Sequence, residues 1–580
     1  MNTTPDNNDR PSRNVPRGTA RLMPILSWLP AYRRSWLWSD IIAGLTLAAY
    51  AVPVAMAYSS LAGLAPQAGL YCYIFSGIAY ALFATSRHLA VGPTAAISVM
   101  VAGVVGTMAG GDMANYAAMA AITAGLVAAI CLLAWIMRLS TFVNFISETI
   151  LLGFKAGAAL SIASMQLPKI FGVAGKGTSF VAQIISVVPQ LGDAHPAVIA
   201  LGIGSLVLLL AGERFFPGRP VSLIVVVLSI CAVSLFNLGS QGIRVVGQIP
   251  AGLPSFGLPS VSLSQLEGLL ELAFACFLLS YIESIAAARA FAVKNRYSID
   301  PHQELLGLGA ANMVAALSHG YPVGGGLSQS AVNEKAGART PLSLVFASIA
   351  LVLVLFFLTG LLRNLPEAVL ASIVLVAVAG FVKLEDFRQL WRVSRLEFNV
   401  ALVAFVGVLL FGILKGVAIS AIASILFLLR MMAKPHVAVL GRIPGSTRFS
   451  DATRHTTNEL FPGLFLFRVE APLLYFNVDN IVNAVLDRIH TDRTPVRLAV
   501  CDLSTSPYID AAGARMLAQL EEQLQREGIQ FRVAEAHAEA REILRATGIS
   551  EQLGGVSRYT ALADIVEDFE RDTARAASYH

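Results

Sequence analysis

From Trp36 to Arg430, long apolar runs alternate with short breaks that are charged or rich in proline and glycine. A helix needs about 20 apolar residues to cross the hydrocarbon core of a bilayer. Runs of that kind lie near 38–58, 67–84, 115–137, 147–166, 196–212, 220–237, 266–288, 301–318, 341–361, 365–382, 396–413 and 414–430. Two further stretches, near 93–109 and 326–338, are apolar or small-residue but short or interrupted. Together they predict a polytopic α-helical membrane protein of fourteen segments. Beyond Lys434 the pattern changes. Leu464–Val469, Val496–Leu503 and Ile529–Val533 read as strands, and Asp479–Ile489, Ala511–Arg526 and Ala538–Thr547 as helices. That alternation predicts a small α/β domain, a sheet covered by helices. The expected division is a tail over 1–34, a transmembrane domain over 35–432, a linker over 433–460, the α/β domain over 461–567 and a second tail over 568–580. Pro435, Pro444 and Gly445 mark the linker.

Charge orients the spans. With the N-terminus inside, thirteen basic residues fall in inward loops, Arg87, Arg138, Arg219 and Lys335 among them, against five in outward loops, including Lys169 and Lys176. That is the positive-inside bias, and it predicts a multi-pass protein of the cell inner membrane with both termini cytoplasmic. The stretch up to Arg34 carries six arginines but no short apolar core with a small-residue cleavage site, so it reads as a cytoplasmic tail and not a signal peptide. Composition agrees with a chain dissolved in lipid. It is 56% hydrophobic and 14% charged, where soluble proteins carry about 25% charged residues; mean hydropathy is +0.66. A net charge of +5, with no basic run interleaved with aromatics, makes no case for nucleic acid. The five cysteines lack metal-type spacing and read as packing residues.

Two motifs stand out among the spans. Val91-Gly92-Pro93-Thr94-Ala95-Ala96 opens the third segment, and Gly324-Gly325-Gly326-Leu327-Ser328-Gln329-Ser330 opens the tenth. They sit seven segments apart, in corresponding places of two seven-segment halves, which points to a transporter built from repeats. A helix that begins inside the membrane leaves its first N–H groups unbonded, with about half a positive charge from its dipole. Such backbone is tolerated only where it lines a polar cavity. Gly92, Gly325 and Gly326 let the backbone approach a ligand, and Pro93 suits the first helical position. Two such ends facing each other make an anion site without a basic side chain. The plainer reading is that the glycines allow close helix packing.

Individual side chains add detail. Tyr58 lies one turn after Pro53, which is expected to bend or break the first segment; it is a cavity residue or an interfacial anchor. Ser328 and Gln329 can bind an anion or cap their own helix. Glu283 sits in an otherwise apolar helix, where an ionised carboxylate is costly, so it should readily take a proton and could couple anion uptake to protons. The alternatives are an ion pair with Arg289 or a buried hydrogen bond. Lys155, about two turns from the cytoplasmic end of its span, reads as snorkelling to the headgroups, with ligand contact as the alternative. Asp300-Pro301-His302-Gln303 reads as a helix start with Gln303 completing the cap, followed by Glu304 in the first turn. No catalytic residue, cofactor or metal is expected. Gly326-Leu327-Ser328-Gln329-Ser330 ends in Ser where a nucleophile elbow has Gly, no Walker lysine follows the glycines, and no His/Asp/Glu cluster has metal spacing.

Three stretches resemble the sulfate permease family, also called solute carrier family 26: Pro53–Tyr80, Ser86–Met100 and Tyr321–Thr340. With the soluble tail, the resemblance covers 38–565. It implies fourteen segments in two inverted seven-segment repeats, divided into a core and a gate domain, commonly as a homodimer. The anion would sit between half-helices starting at Thr94 and Leu327, at the backbone of Ala95 and near Tyr58 and Ser328. Sliding of core against gate would give alternating access. Proton-coupled members carry a glutamate where Glu283 stands. Two departures matter. Gln329 stands where sulfate carriers often have Arg, and Val54 where many members have Gln; the missing charge leaves room for bicarbonate or a small carboxylate beside sulfate. Asp502 to Gly513 resembles the signature loop of a STAS domain, similar to anti-sigma factor antagonists, with Ala511 in place of the phosphorylatable serine. Ser504, Thr505 and Ser506 remain as substitutes, and the domain is expected to serve trafficking, dimer contact or docking of a cytoplasmic protein partner.

The functional expectation is proton-coupled symport of a small inorganic or carboxylate anion across the lipid bilayer. Anion exchange and a channel-like conductance are the transport alternatives. Outside transport stands a membrane anion sensor signalling through the STAS domain. A nucleobase permease of the same fold fits the spans but not the tail.

Overall fold

Runs of Ala, Val, Leu and Ile leave each apolar stretch no way to satisfy its backbone in lipid except as helix. In the computed structural model these runs are helical. The structure describes residues 22–140, 148–175, 180–216, 220–257, 259, 262–491, 494–553 and 555–578. Most of the N-terminal tail, together with Lys176 and Arg219 from the charge count, lies outside the described residues. The first half comprises α1 (Leu37–Leu61), α2 (Pro66–Phe83), α3 (Ala95–Met108), α4 (Met113–Ile136), α5 (Glu148–Phe171), α6 (Pro196–Phe215) and α7 (Val221–Leu235). The second comprises α8 (Leu263–Lys294), α9 (Pro301–Leu317), α10 (Leu327–Lys335), α11 (Leu342–Phe357), α12 (Glu367–Ala379), α13 (Arg395–Phe411) and α14 (Ile413–Ala433). Strands β1 (Val91–Gly92) and β2 (Gly324–Gly325) precede α3 and α10. Six described helices are individually long and apolar enough to cross a membrane. α10, at nine residues, is not one of them. It starts at the strand pair, partway through the fold.

The packing has the two-fold relation of a repeat. Exchanging each helix of the first half for its counterpart in the second turns the pair α4–α9 into α11–α2, α1–α11 into α8–α4, α1–α10 into α8–α3, and α5–α13 into α12–α6. All eight of these pairs are in contact. The contacts separate a core group (α1 to α4 and α8 to α11) from a gate group (α5 to α7, α12 and α13), which meet along α1–α12, α1–α7 and α3–α5; α14 lies against α13, where Gly416 meets Val408 and Gly407 meets Ile419.

Local details modify three expectations. α1 runs unbroken through Pro53, so the proline removes one backbone donor without ending the helix. Asp300 caps α9 with Pro301 in its first turn, as its sequence indicates. Gln303 does not complete that cap; its amide reaches Leu22 O (3.0 Å) and Phe83 O (2.8 Å). Glu304, fully buried, accepts from the N–H groups of Thr85 (2.8 Å) and Ser86 (2.9 Å) and from Tyr80, closing the chain end that leaves α2. All five cysteines are free, and Cys231 is exposed where packing was expected.

Chain contacts divide at Ser424/Ile425, and the second unit is built on a five-stranded sheet. Its order is β4-β3-β5-β6-β7, with β3 (Val437–Arg442), β4 (Phe449–Asp451), β5 (Leu464–Val469), β6 (Leu498–Asp502) and β7 (Gln530–Ala534). β5, β6 and β7 are parallel, whereas β3 runs antiparallel to β4 and β5. The stretch expected to be a linker is therefore part of the sheet. Pro444 and Gly445, taken as linker punctuation, lie in the turn between β3 and β4. Alternate residues face opposite sides of a strand. Phe465, Phe467, Cys501 and Val533 pack under α15 (Val478–Thr491), α16 (Ala511–Arg526) and α17 (Ala538–Ala546). Leu464, Leu466, Leu498 and Val500 pack against Leu562, Ile565 and Val566 of α18 (Leu562–Ser578). The expected tail over 568–580 is thus the continuation of a packed helix as far as residue 578, and its Glu570 holds Arg442 of β3 at 2.9 Å.

Candidate functional site

The two sequence motifs meet. β1 and β2 pair antiparallel, Val91 opposite Gly325 and Gly92 opposite Gly324. Two residues per strand leave most neighbouring backbone groups without a ladder partner, and buried side chains supply them. Ser280 and Asn312 donate to Val323 O (2.8 and 3.1 Å), Asn312 Oδ1 accepts from Val323 N (2.9 Å), and Ser284 Oγ accepts from Gly325 N (2.7 Å). Ala90 N donates to Ser330 Oγ (2.9 Å). Gln329 donates to Ala90 O (2.9 Å) and Gly324 O (3.3 Å), while its carbonyl accepts from the Tyr73 hydroxyl. Glycine is required here by scaffold packing. A Cβ on Gly92 would lie 2.6 Å from the Tyr73 ring, and one on Gly325 2.7 Å from Leu89.

The crossing aims two helix starts at one place. α3 begins after Thr94 and α10 after Gly326, and neither has a side-chain cap. Pro93 therefore precedes the cap position and is not the first helical residue. Both ends open on a cavity of about 310 Å³ lined by Tyr58, Thr94, Ala95, Glu283, Ser328 and Lys155, with Pro93, Gly326, Leu327 and Gln329 also in its wall. Thr94 is 8% exposed, and its hydroxyl is buried with no hydrogen-bond partner. Glu283 stands in the cavity wall on the α8 face that also presents Ala286, Ala287 and Ala290. Lys155 enters from α5 and lines the same cavity as Glu283. A second cavity of about 370 Å³ adjoins the first at Tyr50, Ser328 and Gly380 and contains Glu213 and Lys335. An uncapped pair of helix starts, an unpartnered hydroxyl and the Lys155 ammonium suit a small anion.

Comparison with known proteins agrees. The sulfate permease family profile matches residues 37–404, and the STAS domain profile matches 456–564. A probable sulfate transporter of Mycobacterium tuberculosis is 35% identical over 555 residues, 95% of this chain and 99% of that one. The chain belongs to the sulfate permease family. Chloroplastic sulfate transporter 4.1 of Arabidopsis thaliana is 30% identical over 94% of this chain and 82% of its own length. In fold, the chain resembles the murine solute carrier 26 family member A9 anion transporter, with a TM-score of 0.84 over 94% of this chain and 93% of that one at 23% identity. It also resembles the transmembrane domain of a cyanobacterial bicarbonate transporter, with a TM-score of 0.59 over 68% of this chain and 98% of that one at 25% identity. This is a family of membrane anion transporters, not of enzymes.

Within that family frame, the motif residues fall into two sets. Tyr58, Thr94, Ala95, Leu327, Ser328 and Glu283 line the cavity, whereas Gly92 and Gly325 lie behind it in the buried strand pair. Gln329 reaches the wall, but its amide is committed to Tyr73, Ala90 and Gly324, which leaves its backbone N–H as the group to offer a solute. Lys155 lines the cavity, the less favoured of the two places its sequence position suggests. One signal was available. Leu151, Leu152 and Lys155 share one face of α5, while Gly153 and Gly157 pack against α13. In the STAS unit, Ser506 is fully buried and donates to Val469 O and Ala471 O, and Thr505 Oγ1 donates to Val469 O. Of the three hydroxyl residues considered as substitutes for Ala511, Ser504 alone is half-buried without such a bond from its side chain among the described residues.

Proposed function

We propose that this chain carries sulfate into the cell together with a proton by alternating access between its core and gate groups. The observation that carries the reading is the convergence of two uncapped half-helix starts, an unpartnered Thr94 hydroxyl and the Glu283 carboxyl on one cavity. The dipoles attract an anion. Glu283, inside a span, is the group that would pick up and release the proton. Sulfate is chosen over bicarbonate because the relatives that match across the whole chain are named as sulfate transporters. Both cavities extend toward residues the charge count assigns to the cytoplasm, Lys335 and Lys383, so this conformation reads as inward-facing. The inner membrane is the proposed location, with both termini cytoplasmic, a homodimer the proposed assembly, and a cytoplasmic protein the proposed partner of the STAS unit.

The test is uptake of radiolabelled sulfate, bicarbonate and a dicarboxylate into proteoliposomes, with and without an inward proton gradient. Sulfate uptake should rise with the gradient in wild type and lose that response in Glu283→Gln. An unaltered gradient response in Glu283→Gln removes the proton role. Uptake that requires a counter-anion inside the vesicle replaces symport by exchange.

A further inference from the structure

We propose that Lys155, reaching across from the gate group, is the cation that lets this site hold a divalent anion, and that Glu283 balances its charge whenever the anion is absent or monovalent. The inference rests on the reading of the cavity as an anion-transport site and deepens it.

Gln329 stands where a guanidinium would be expected in sulfate carriers, and its amide braces the strand crossing, so no positive side chain is delivered from the start of α10. The cavity nevertheless contains a fixed cation. Lys155 lines it from α5 and, among the described residues, makes no hydrogen bond or direct ion pair, so its ammonium is available. Among the described residues, five titratable or charged groups line the cavity with Glu283. Lys155 comes from α5, Tyr50 and Tyr58 from α1, and Lys383 and Asp386 lie at the far wall beyond Gly380. Lys383 has Asp386 as a counter-ion at 3.8 Å, which leaves Lys155 as the cavity cation without one among the described residues.

The charges then count to a simple rule. Two helix starts contribute about half a positive charge each, and Lys155 adds one, for a total of about two. A divalent anion balances that total only when Glu283 is neutral. A monovalent anion balances it with Glu283 ionised. The proton comes from water on the open side and joins the Glu283 carboxylate as sulfate enters. It leaves to water when sulfate leaves. Proton coupling is thereby a property of divalent cargo, set by a lysine on one moving group and an acid on the other.

The experiment uses the full-length chain, purified in detergent and reconstituted. Wild type, Lys155→Gln and Lys155→Arg are compared by anion-dependent thermal stabilisation and by uptake, at neutral and mildly alkaline pH, where bicarbonate stays a monovalent anion, with sulfate and bicarbonate as probes. In wild type, sulfate binding should weaken as pH rises while bicarbonate binding changes little; this arm needs no variant and survives any folding defect. Lys155→Gln should weaken sulfate at least about tenfold, the loss of one charge-assisted contact. Lys155→Arg should restore it to within about threefold. Equal sulfate affinity and pH profile in wild type and Lys155→Gln overturn the inference, as does Lys155→Arg behaving like Lys155→Gln, or the same pH dependence for both anions in wild type. A wild-type chain that neither binds nor carries any of these anions sinks the anion-site reading itself, so the two failures are separable.

Discussion

Gly92→Ala is the smallest change that tests the strand crossing. The added Cβ would lie 2.6, 2.7 and 2.8 Å from three atoms of the Tyr73 ring, where ordinary contact begins at 3.4 Å. The ring must retreat by about 0.8 Å, and it has little freedom. Tyr73 is 4% exposed, and its hydroxyl is bonded to Gln329, which in turn holds Ala90 O and Gly324 O. Overpacking of this kind costs about 1–3 kcal/mol. Thermal melting of the purified protein should therefore fall by a few degrees. Transport should fall further than stability, because the displaced strand carries the start of α3 with it. A Tyr73→Leu background removes the ring; there the Gly92→Ala penalty should shrink by about 1 kcal/mol or more, the coupling expected of residues in contact. If Gly92→Ala melts and transports like wild type, or if its penalty is the same in both backgrounds, the crossing is not the rigid support described here.

Three other outcomes follow from named contacts. Thr94→Val, equal in size, removes a buried hydroxyl that has no hydrogen-bond partner; it should leave melting unchanged or raised, yet weaken sulfate-dependent stabilisation about tenfold. Gly153→Ala would put a Cβ 1.9 Å from the Ala401 carbonyl oxygen, which is backbone and cannot swing aside, so α5 and α13 should part at a cost on the order of 3 kcal/mol; Gly103→Ala, with nothing within 4 Å, is the neutral control in the same melting assay. Burial works to raise the Asp451 carboxyl, but hydrogen bonds from the Thr453 side chain, His436 and the Thr453 backbone outweigh it and hold the carboxyl well below the usual carboxylate range. A depressed value means the stabilisation is present above about pH 4, the ordinary carboxylate value, and lost only as pH falls through the lower folded one. Hydrogen exchange of β3 and β4 should therefore speed up in strong acid, by less in Asp451→Asn than in wild type.

The spans were legible because their signal is local: a run of apolar residues of the right length needs no partner to be recognised. The paired glycine motifs were legible for the same reason, and their matching positions supplied the repeat. What sequence could not give was which residues meet. Lys155 and Glu283 are far apart in the chain and belong to opposite groups of helices, so an intramembrane lysine read alone looks like a headgroup anchor. Gln329 is a different case. It reaches the cavity wall, but its amide is committed to Gly324 O and to Ala90 O, the latter brought close by a crossing 239 residues wide in sequence. β3 was missed because Pro435 and Pro444 bracket it, and proline at a strand's edges looks the same as proline in a linker.

The bracing of the crossing also limits what can move. The backbone of β1 and β2 is held by Ser280 and Ser284 of α8, Asn312 of α9, and Gln329 and Ser330 of α10, with Tyr73 of α2 locking Gln329 in place. Rocking α3 against α10 would break several of these bonds at once and leave buried donors and acceptors unpaired, at about 1–3 kcal/mol for each. The two helix starts must therefore travel as one piece. In the transport proposed here, access changes only if the gate helices slide past that piece along α1–α12, α1–α7 and α3–α5, contacts made largely by apolar and small side chains with few hydrogen bonds to lose. Lys155 belongs to the gate and Glu283 to the core, so the same sliding alters the distance between them. The motion that exposes the anion is also the motion that resets the charge holding it.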